Sequence, residues 1–232
     1  MFHEEPLGIP ASEGYGYLQG GPGQVLGPKP GFRIESKLDI GRTASLWLAR
    51  DLCKDQFVAI KILAGYTSQL NRENKLQELR VLRRLSDPAP PAPGGPSAAV
   101  GVTLPSSSPF VTQLLSYFYH PGAEGDGEHL CLVMELLCSD VLRIRSRLPD
   151  AGYLPLPTVK RILKHVIQGI AHAHSRGIVH TDIKLDNILV APSDIRIPHA
   201  VTDWPGKNPL QAYPPTQSLS GMVTSFISSM HW

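Results

Sequence analysis

The stretch IVHTDIKLDNILV, Ile178 to Val190, brings together side chains that could take part in catalysis. Its two ends are apolar, whereas its middle holds an imidazole, two carboxylates, an amine and an amide, carried by His180, Asp182, Lys184, Asp186 and Asn187. Polar and charged groups are costly among apolar residues unless they have partners. Five such groups between two apolar runs therefore indicate a functional loop.

A second candidate is Lys61, the last residue of the run VAIK. Its ammonium follows an otherwise apolar strand, where an unpaired charge is strongly unfavourable, so a fixed anion is expected nearby. Glu78, on the helix predicted next, could pair with it across the strand–helix interface. Taken one at a time, the two residues have a simpler interpretation, in which Lys61 extends along a strand edge to water and Glu78 faces solvent.

These residues need elements to position them, and the apolar pattern predicts which. Runs rich in β-branched and aromatic residues predict three strands within residues 32–63 and two more at 110–119 and 129–137. Leucines at roughly helical spacing predict one amphipathic helix over 67–86, and a second is predicted over 156–177, ending at a glycine. The polar loop follows this second helix.

Three segments rich in Pro, Gly or Ser interrupt or flank this order. Residues 1–31 predict a mobile leader, residues 87–109 a low-complexity surface insert, and residues 191–232 a poorly ordered tail. What remains is a β-rich region over residues 32–137 and a second region over residues 138–190.

Composition argues against several classes of partner. The net charge of +2 is near neutral, so neither nucleic acid nor a membrane surface is expected as a partner, and the longest apolar runs are too short to cross a bilayer. The N-terminus lacks the apolar core of a signal peptide, and the three cysteines form no CxxC pair. We expect an intracellular protein with reduced thiols.

The loop and the lysine together resemble the motifs of the eukaryotic protein kinases. HTDIKLDN, residues 180–187, fits the catalytic-loop pattern H-R-D-L-x-x-x-N except that Thr181 replaces Arg, and VAIK fits the family's lysine motif. His180 is expected to be a buried structural imidazole. Four motif residues occur in the family's order, on the expected elements: Lys61, Glu78, Asp182 and Asn187.

The resemblance implies a fold and a role for each of these residues. The fold would be α+β and protein-kinase-like, with a complete β-rich small lobe and the start of the helical large lobe. Asp182 would accept the proton of the substrate hydroxyl, Lys184 would steady the transferring phosphate, and Asn187 would hold a Mg²⁺ ion. Lys61, paired with Glu78, would contact ATP. Phosphoryl transfer depends on such positioning and on neutralising negative charge.

An ATP site is also implied by the resemblance. Aligning the family's Gly-rich loop places its three glycines at Asp39, Gly41 and Ala44. Met134 would be the gatekeeper, and the backbone of the residues after it would hydrogen-bond the adenine. The residues expected to contact ATP are Leu38, Gly41, Leu46, Ala59, Lys61, Met134, Glu135, Leu137 and Leu189.

Within the family, the sequence is similar to the SR-protein kinases, which phosphorylate serines in Arg/Ser-rich splicing factors. HTDIK carries most of this resemblance, together with SLWLARD and LPLPTVKRILKHVIQGI. Thr181 replaces the Arg that normally reads a phosphorylated activation loop, so activity would not depend on that switch. The resemblance implies a serine/threonine kinase for Arg/Ser-rich proteins in the cytoplasm, the nucleus or both.

Departures from the family pattern leave a second function open. Asp39 puts a carboxylate where the backbone would close over the triphosphate, which predicts weaker ATP binding. The sequence holds no Asp-Phe-Gly; Asp203 lies at nearly the right distance, but a solvated loop residue is expected there. The helix over 156–177 would then expose its apolar stripe in an incomplete chain. The alternative is a truncated pseudokinase that binds nucleotide or a partner.

Overall fold

The computed structural model describes residues 6–86, 108–146, 148 and 152–191, together with four short strands between residues 212 and 227. The chain divides into two units. The first unit comprises Met1–Gln77, Leu115–Cys138 and Ala191–Trp232. The second comprises Glu78–Leu114 and Ser139–Val190.

The first unit is built on a six-stranded sheet with the strand order β1-β2-β3-β4-β6-β5. In this order the labels follow the chain and denote β1 Val25–Leu26, β2 Phe32–Ile40, β3 Ala44–Asp51, β4 Gln56–Leu63, β5 Leu114–Pro121 and β6 Glu128–Met134. All five strands predicted from the sequence are present. The sheet confirms the β-rich part of the α+β fold expected from the sequence.

Both faces of this sheet carry buried apolar side chains. Successive residues along a strand point to opposite faces, and β2, β3 and β4 each contribute to both clusters. On one face, Trp47 and Ile60 belong to the main core with the other buried residues Leu18, Leu26, Ile34, Ala49, Val58, Ile62, Cys131 and Val133. On the other face, a smaller cluster holds Leu38, Leu48 and Ala59, with Leu46, Phe57 and Leu136 packed against it. A strand buried on both faces reads as a nearly continuous apolar run, as QFVAIKIL does.

Residues 6–31 do not form the mobile leader that the sequence predicts. Tyr17 and Leu18 are 3% and 6% exposed, Leu26 is fully buried in the main core, and β1 pairs with β2 in antiparallel register. The prediction was wrong for this segment because its few apolar residues are irregularly spaced and gain their burial from distant strands. Periodicity cannot detect such packing.

The single helix predicted over residues 67–86 is two helices, α1 Gly65–Arg72 and α2 Glu78–Ser86. The break follows from Asn74, which has a φ of 59°. The Asn74 and Lys75 N–H groups donate to the carbonyls of Asn71 and Leu70, which is the Schellman arrangement that ends helices. Asn tolerates this left-handed conformation better than most residues.

The second unit contains α2, α3 Val141–Ser146 and α4 Leu156–Ser175. The helix predicted over 156–177 is confirmed, and Gly177, with a φ of 66°, ends it as expected. Part of its apolar stripe is exposed: Leu163 and Ile167 are 54% and 63% accessible. In the described part of the chain, the predicted exposed stripe is therefore present for these two residues.

Four further strands lie in the segment for which the sequence predicts poor order. They are β7 Ala212–Tyr213, β8 Thr216–Ser218, β9 Gly221–Val223 and β10 Phe226–Ile227, which form the antiparallel pairs β7–β10 and β8–β9. The remainder of that predicted tail after residue 191, and the predicted insert up to residue 107, lie outside the described residues. Among the helices that are described, none has the length and apolar character that crossing a membrane would require.

Two cysteines of the first unit are expected to differ in reactivity. Cys131 is fully buried and burial raises the pKa of its thiol to about 12, whereas Cys53 is exposed. At about pH 8, iodoacetamide should therefore modify Cys53 and leave Cys131 unmodified until the chain unfolds, because the thiolate is the reactive form. Peptide mass spectrometry before and after denaturation measures this. Equal labelling of both thiols in the folded chain would contradict the packing of Cys131.

Candidate functional site

The second sheet face carries four of the residues expected to contact ATP. Leu38 of β2, Leu46 of β3 and Ala59 of β4 belong to one apolar cluster. Lys61 lies two residues beyond Ala59 on β4, is paired in register with Leu46, and is half-buried. Alternation along the strand places its side chain on the same face as Ala59. This face offers a flat apolar surface with an ammonium at one end.

The residues after β6 border the same apolar cluster. Met134 is the register partner of Ala59, and Leu136 packs against the cluster. Glu135 and Leu137 are half-buried and lie in non-helical, non-strand backbone. The backbone groups predicted to hydrogen-bond the adenine therefore belong to neighbouring residues of the first unit, and their contact with ATP stays a prediction.

The loop between β2 and β3 is held from outside the hairpin. The Gly41 N–H donates to the Ala44 carbonyl at 2.8 Å, and the Ala64 N–H donates to the Thr43 carbonyl at 2.9 Å. The Tyr17 hydroxyl donates to the Gly41 carbonyl at 3.0 Å. Sequence reasoning missed Tyr17, because nothing in its local pattern connects it with a loop 24 residues away.

Asp39 lies at the end of β2, where its carboxylate accepts a hydrogen bond from the Ile40 N–H at 2.9 Å. The chain thus carries a half-buried negative charge beside the loop expected to meet the phosphates of ATP. Replacing Asp39 with Gly is expected to tighten ATP binding by about fivefold, since two like charges about 4 Å apart repel by roughly 1 kcal/mol when water screens them fully.

Isothermal titration calorimetry of the parent chain and of Asp39→Gly with ATP measures the change in Kd. Asp39→Asn is the matched control, because it removes the charge but keeps an oxygen for the Ile40 N–H. Both variants should bind ATP more tightly than the parent chain. If Asp39→Gly binds no better, the carboxylate does not oppose the nucleotide.

In the second unit, the polar loop after α4 brings three of its predicted residues together. The amide nitrogen Nδ2 of Asn187 donates to the Asp182 backbone carbonyl and to its carboxylate Oδ2, each at 2.9 Å. The Lys184 Nζ lies 3.4 Å from the same Oδ2 and 3.4 Å from a carboxylate oxygen of Asp186. The contacts with Asp186 and Asp182 raise the pKa of Lys184, which keeps its ammonium charged. Both of these side-chain contacts use Oδ2, so the other oxygen of Asp182, Oδ1, can accept a hydrogen bond from a substrate hydroxyl.

The backbone before Asp182 is strained. Thr181 has a φ of 61°, a conformation that β-branched residues rarely adopt. Such strain persists where the surroundings hold a residue in place. With this backbone angle at Thr181, the Asp182 N–H donates to the His180 carbonyl at 2.9 Å. His180 is exposed, so the expectation of a buried imidazole was wrong: the described residues leave this ring accessible.

The segment after the loop is fixed by backbone bonds to the start of α3. Asp140 and Leu189 form an antiparallel bridge, the Val141 N–H donates to the Ile188 carbonyl, and the Val190 N–H donates to the Ser139 carbonyl. Leu189 is 47% exposed, and its contact with the adenine stays a prediction.

Among the described residues, no group of three or more His, Cys, Asp or Glu side chains is arranged to hold a metal ion. Asn187 uses Nδ2 for both of its bonds to Asp182, so its Oδ1 is the atom that could bind a cation. Mg²⁺ prefers oxygen ligands and is commonly held by one or two protein groups together with substrate phosphates. The Oδ1 of Asn187 fits Mg²⁺ in that shared arrangement, as one protein ligand beside the phosphates.

Two predicted features stay predictions. Lys61 belongs to the first unit and Glu78 to the second, so the ion pair expected between them stays a prediction. Asp203, the candidate for a further metal ligand, lies outside the described residues.

Comparison with known proteins gives one family. The protein kinase domain model matches residues 100–204 of this chain. The chain is 31% identical over 163 residues to the serine/threonine-protein kinase SKY1 of Saccharomyces cerevisiae. This alignment covers 68% of this chain and 20% of that protein. It is also 30% identical over 195 residues to SRSF protein kinase 3 of Homo sapiens, and that alignment covers 81% of this chain and 30% of the relative.

A third relative is the serine/threonine-protein kinase SRPK of Physarum polycephalum, 30% identical over 192 residues, with 82% of this chain and 40% of that protein covered. The chain thus spans between 20% and 40% of the length of these three relatives. The similarity extends over most of this chain, between 68% and 82% of it.

Proposed function

The chain belongs to the protein kinase family, among relatives of the SR-protein kinase type, and from this premise we propose that it binds ATP with Mg²⁺ and transfers the γ-phosphate to serine in Arg/Ser-rich proteins. The observation that carries this proposal is the arrangement in which Asn187 and Lys184 both contact Oδ2 of Asp182. A carboxylate oriented in this way, with its other oxygen accessible, is suited to accept a hydroxyl proton.

The proposed reaction assigns one task to each of these side chains. The serine Oγ forms a bond to the γ-phosphorus, the bond from that phosphorus to the β–γ bridging oxygen breaks, and ADP leaves. Asp182 orients the hydroxyl and accepts its proton at Oδ1. Lys184, whose pKa is raised by Asp186 and Asp182, neutralises negative charge on the transferring group. Asn187 keeps the Asp182 carboxylate in place.

The sheet face of the first unit supports nucleotide binding. Leu38, Leu46 and Ala59 supply an apolar surface for the adenine, and the backbone of Glu135 and Leu137 can recognise its polar edge. The Lys61 ammonium would bind phosphate oxygens. Mg²⁺, when bound, would neutralise charge on the phosphates, and Asn187 would hold it through its Oδ1. Protein kinases use ATP and Mg²⁺ in general, and these residues suit both.

The proposal is tested by a phosphorylation assay of the 232-residue chain with ATP, Mg²⁺ and a peptide of Arg-Ser repeats. Two matched peptides serve as controls, one with Ala for every Ser and one with Lys for every Arg. The proposal expects phosphate on the Arg-Ser peptide, none on the Ala peptide and less on the Lys peptide. Equal phosphorylation of the Arg and Lys peptides would contradict the proposed substrate class, and absence of phosphate on all three would contradict the transfer reaction.

Asp39 favours a second candidate, a nucleotide- or partner-binding module that transfers no phosphate. A carboxylate beside the phosphate-binding loop opposes the triphosphate more than it opposes adenosine or ADP, because it repels each added charge. A chain that binds ADP at least as tightly as ATP and leaves every peptide unmodified would support this candidate. Clear preference for Mg·ATP with peptide phosphorylation would exclude it.

A further inference from the structure

A buried tyrosine contacts the loop that is expected to meet the phosphates. The tip of that loop, residues 41–43, is exposed, yet its first carbonyl, that of Gly41, accepts a hydrogen bond from the hydroxyl of Tyr17 at 3.0 Å. Tyr17 is only 3% exposed. The hydroxyl of a buried residue therefore hydrogen-bonds to the backbone of an exposed loop.

Tyr17 belongs to the segment Ile9–Gln19, which we call the strap. The backbone beside Tyr17 is anchored to the start of α1, because the Gly65 N–H donates to the Gly16 carbonyl at 2.7 Å and the Tyr66 N–H donates to the Tyr15 carbonyl at 3.1 Å. With both preceding residues fixed to α1, the tyrosine ring has a defined starting point.

The two ends of the strap are attached to the turn between β5 and β6. The Ala11 N–H donates to the Gly125 carbonyl at 2.8 Å. The Gln19 Nε2 donates to both carboxylate oxygens of Asp126, at 3.1 Å and 3.2 Å. The strap is thus fixed on either side of Tyr17, so the position of its hydroxyl is set by α1 and the β5–β6 turn and not by the loop.

The loop has a second attachment on its other side, where the Thr43 carbonyl accepts from the Ala64 N–H. Of the three positions that align with loop glycines, only Gly41 is glycine. Backbone N–H groups bind phosphates well only when they already point at the ligand, because ordering a free loop costs conformational entropy. Tyr17 and Ala64 supply this order from outside the hairpin.

We propose that Tyr17 is a positioning residue for nucleotide phosphates: through the Gly41 carbonyl it holds the loop over residues 41–43 in the conformation that receives them. This inference rests on the proposed nucleotide site. It assigns a function to the strap, a segment whose sequence predicts only a leader. The hydroxyl is the part of Tyr17 that matters for the loop, whereas its ring contributes to packing of the first unit.

Tyr17→Phe removes the hydroxyl and keeps the ring, so it separates the two contributions. In the free chain, amide hydrogen exchange at residues 41–44 should become faster, with exchange in β3 and β4 unchanged. The Kd for ATP should rise by about three- to tenfold, the range expected for one lost hydrogen bond, while the Kd for adenosine stays the same. Tyr15→Phe is the matched control, since the side chain of Tyr15 is 40% exposed and only its carbonyl contacts α1.

The possible outcomes separate this inference from the proposed function. Unchanged exchange at residues 41–44 in Tyr17→Phe would overturn the inference. Faster exchange throughout the sheet, or equal weakening of ATP and adenosine, would also overturn it, because Tyr17 would then be structural only. If the parent chain binds neither ligand, the proposed function fails and so does the assigned role toward phosphates, even where loop exchange shows that Tyr17 holds the loop.

Discussion

Replacing Asp182 with Asn is expected to lower the rate of phosphate transfer by about 10²–10⁴-fold, the usual contribution of a positioned general base. Asn187 and Lys184 hold Oδ2 of this carboxylate, so an amide of the same shape can still make the contact with Asn187. What is lost is the charge that orients the substrate hydroxyl and accepts its proton. The affinity for ATP should change little. Initial rates with the Arg-Ser peptide, together with ATP titration of each chain, measure the two effects.

Asp186→Asn is the matched control for this experiment. Asp186 is exposed, lies four residues along the same loop and contacts Lys184 at the same 3.4 Å distance as Asp182 does. Its replacement changes the net charge by the same amount, yet the proposed mechanism gives it no proton to accept. It should keep transfer within about tenfold of the parent rate. Equal losses in both variants would mean that the loop needs negative charge and not a specific base.

Replacing Gly65 with Ala is expected to destabilise the first unit by about 3 kcal/mol or more, at the upper end of costs for overpacking. A Cβ at this position would lie 1.8 Å from the Asp126 carbonyl oxygen, and that oxygen belongs to backbone, which cannot rotate away. Either α1 or the β5–β6 turn must shift. At roughly 2–4 °C per kcal/mol for a chain of this size, the midpoint of thermal unfolding should fall by about 6–12 °C.

The same substitution at Gly41 provides the comparison. Its φ is not in the left-handed region, and a Cβ there would lie 3.4 Å from the Ala44 carbonyl oxygen, close to ordinary contact. Gly41→Ala should therefore unfold within about 2 °C of the parent chain, since exposed substitutions usually cost under ~0.5 kcal/mol. Circular dichroism melting curves of the three chains decide the matter. A Gly65→Ala chain as stable as Gly41→Ala would contradict the close approach of α1 to the turn.

The sheet was predictable from the sequence because its longer strands are runs of apolar, β-branched and aromatic residues. QFVAIKIL is mostly apolar on both faces, and the polar residues Lys54 and Asp55 mark the turn that precedes it. The division of residues 67–86 into two helices was not predicted, although Asn74 was visible. Helical spacing of leucines continues through a break, whereas the break depends on one backbone angle that a single Asn can adopt.

The polar loop was predictable for a different reason. Its residues lie within eight positions, so spacing alone brings Asp182, Lys184 and Asn187 near one another. The contact between Tyr17 and Gly41 joins residues 24 positions apart and depends on a segment held by the start of α1. Sequence periodicity reports which face of an element is apolar, and it carries no information about which hydroxyl reaches which carbonyl.

The central claim is that this chain forms a nucleotide site with Lys61 as its phosphate ligand. It is tested most directly by thermal unfolding of the 232-residue chain with increasing ATP, with and without Mg²⁺, beside Lys61→Met. At about 100 times Kd, ligand binding stabilises a fold by ~2.7 kcal/mol, so the unfolding midpoint should rise by roughly 5–10 °C. The account predicts that this rise occurs, grows with Mg²⁺ and is lost in Lys61→Met. A midpoint that does not respond to ATP, or one that responds equally in Lys61→Met, would contradict it.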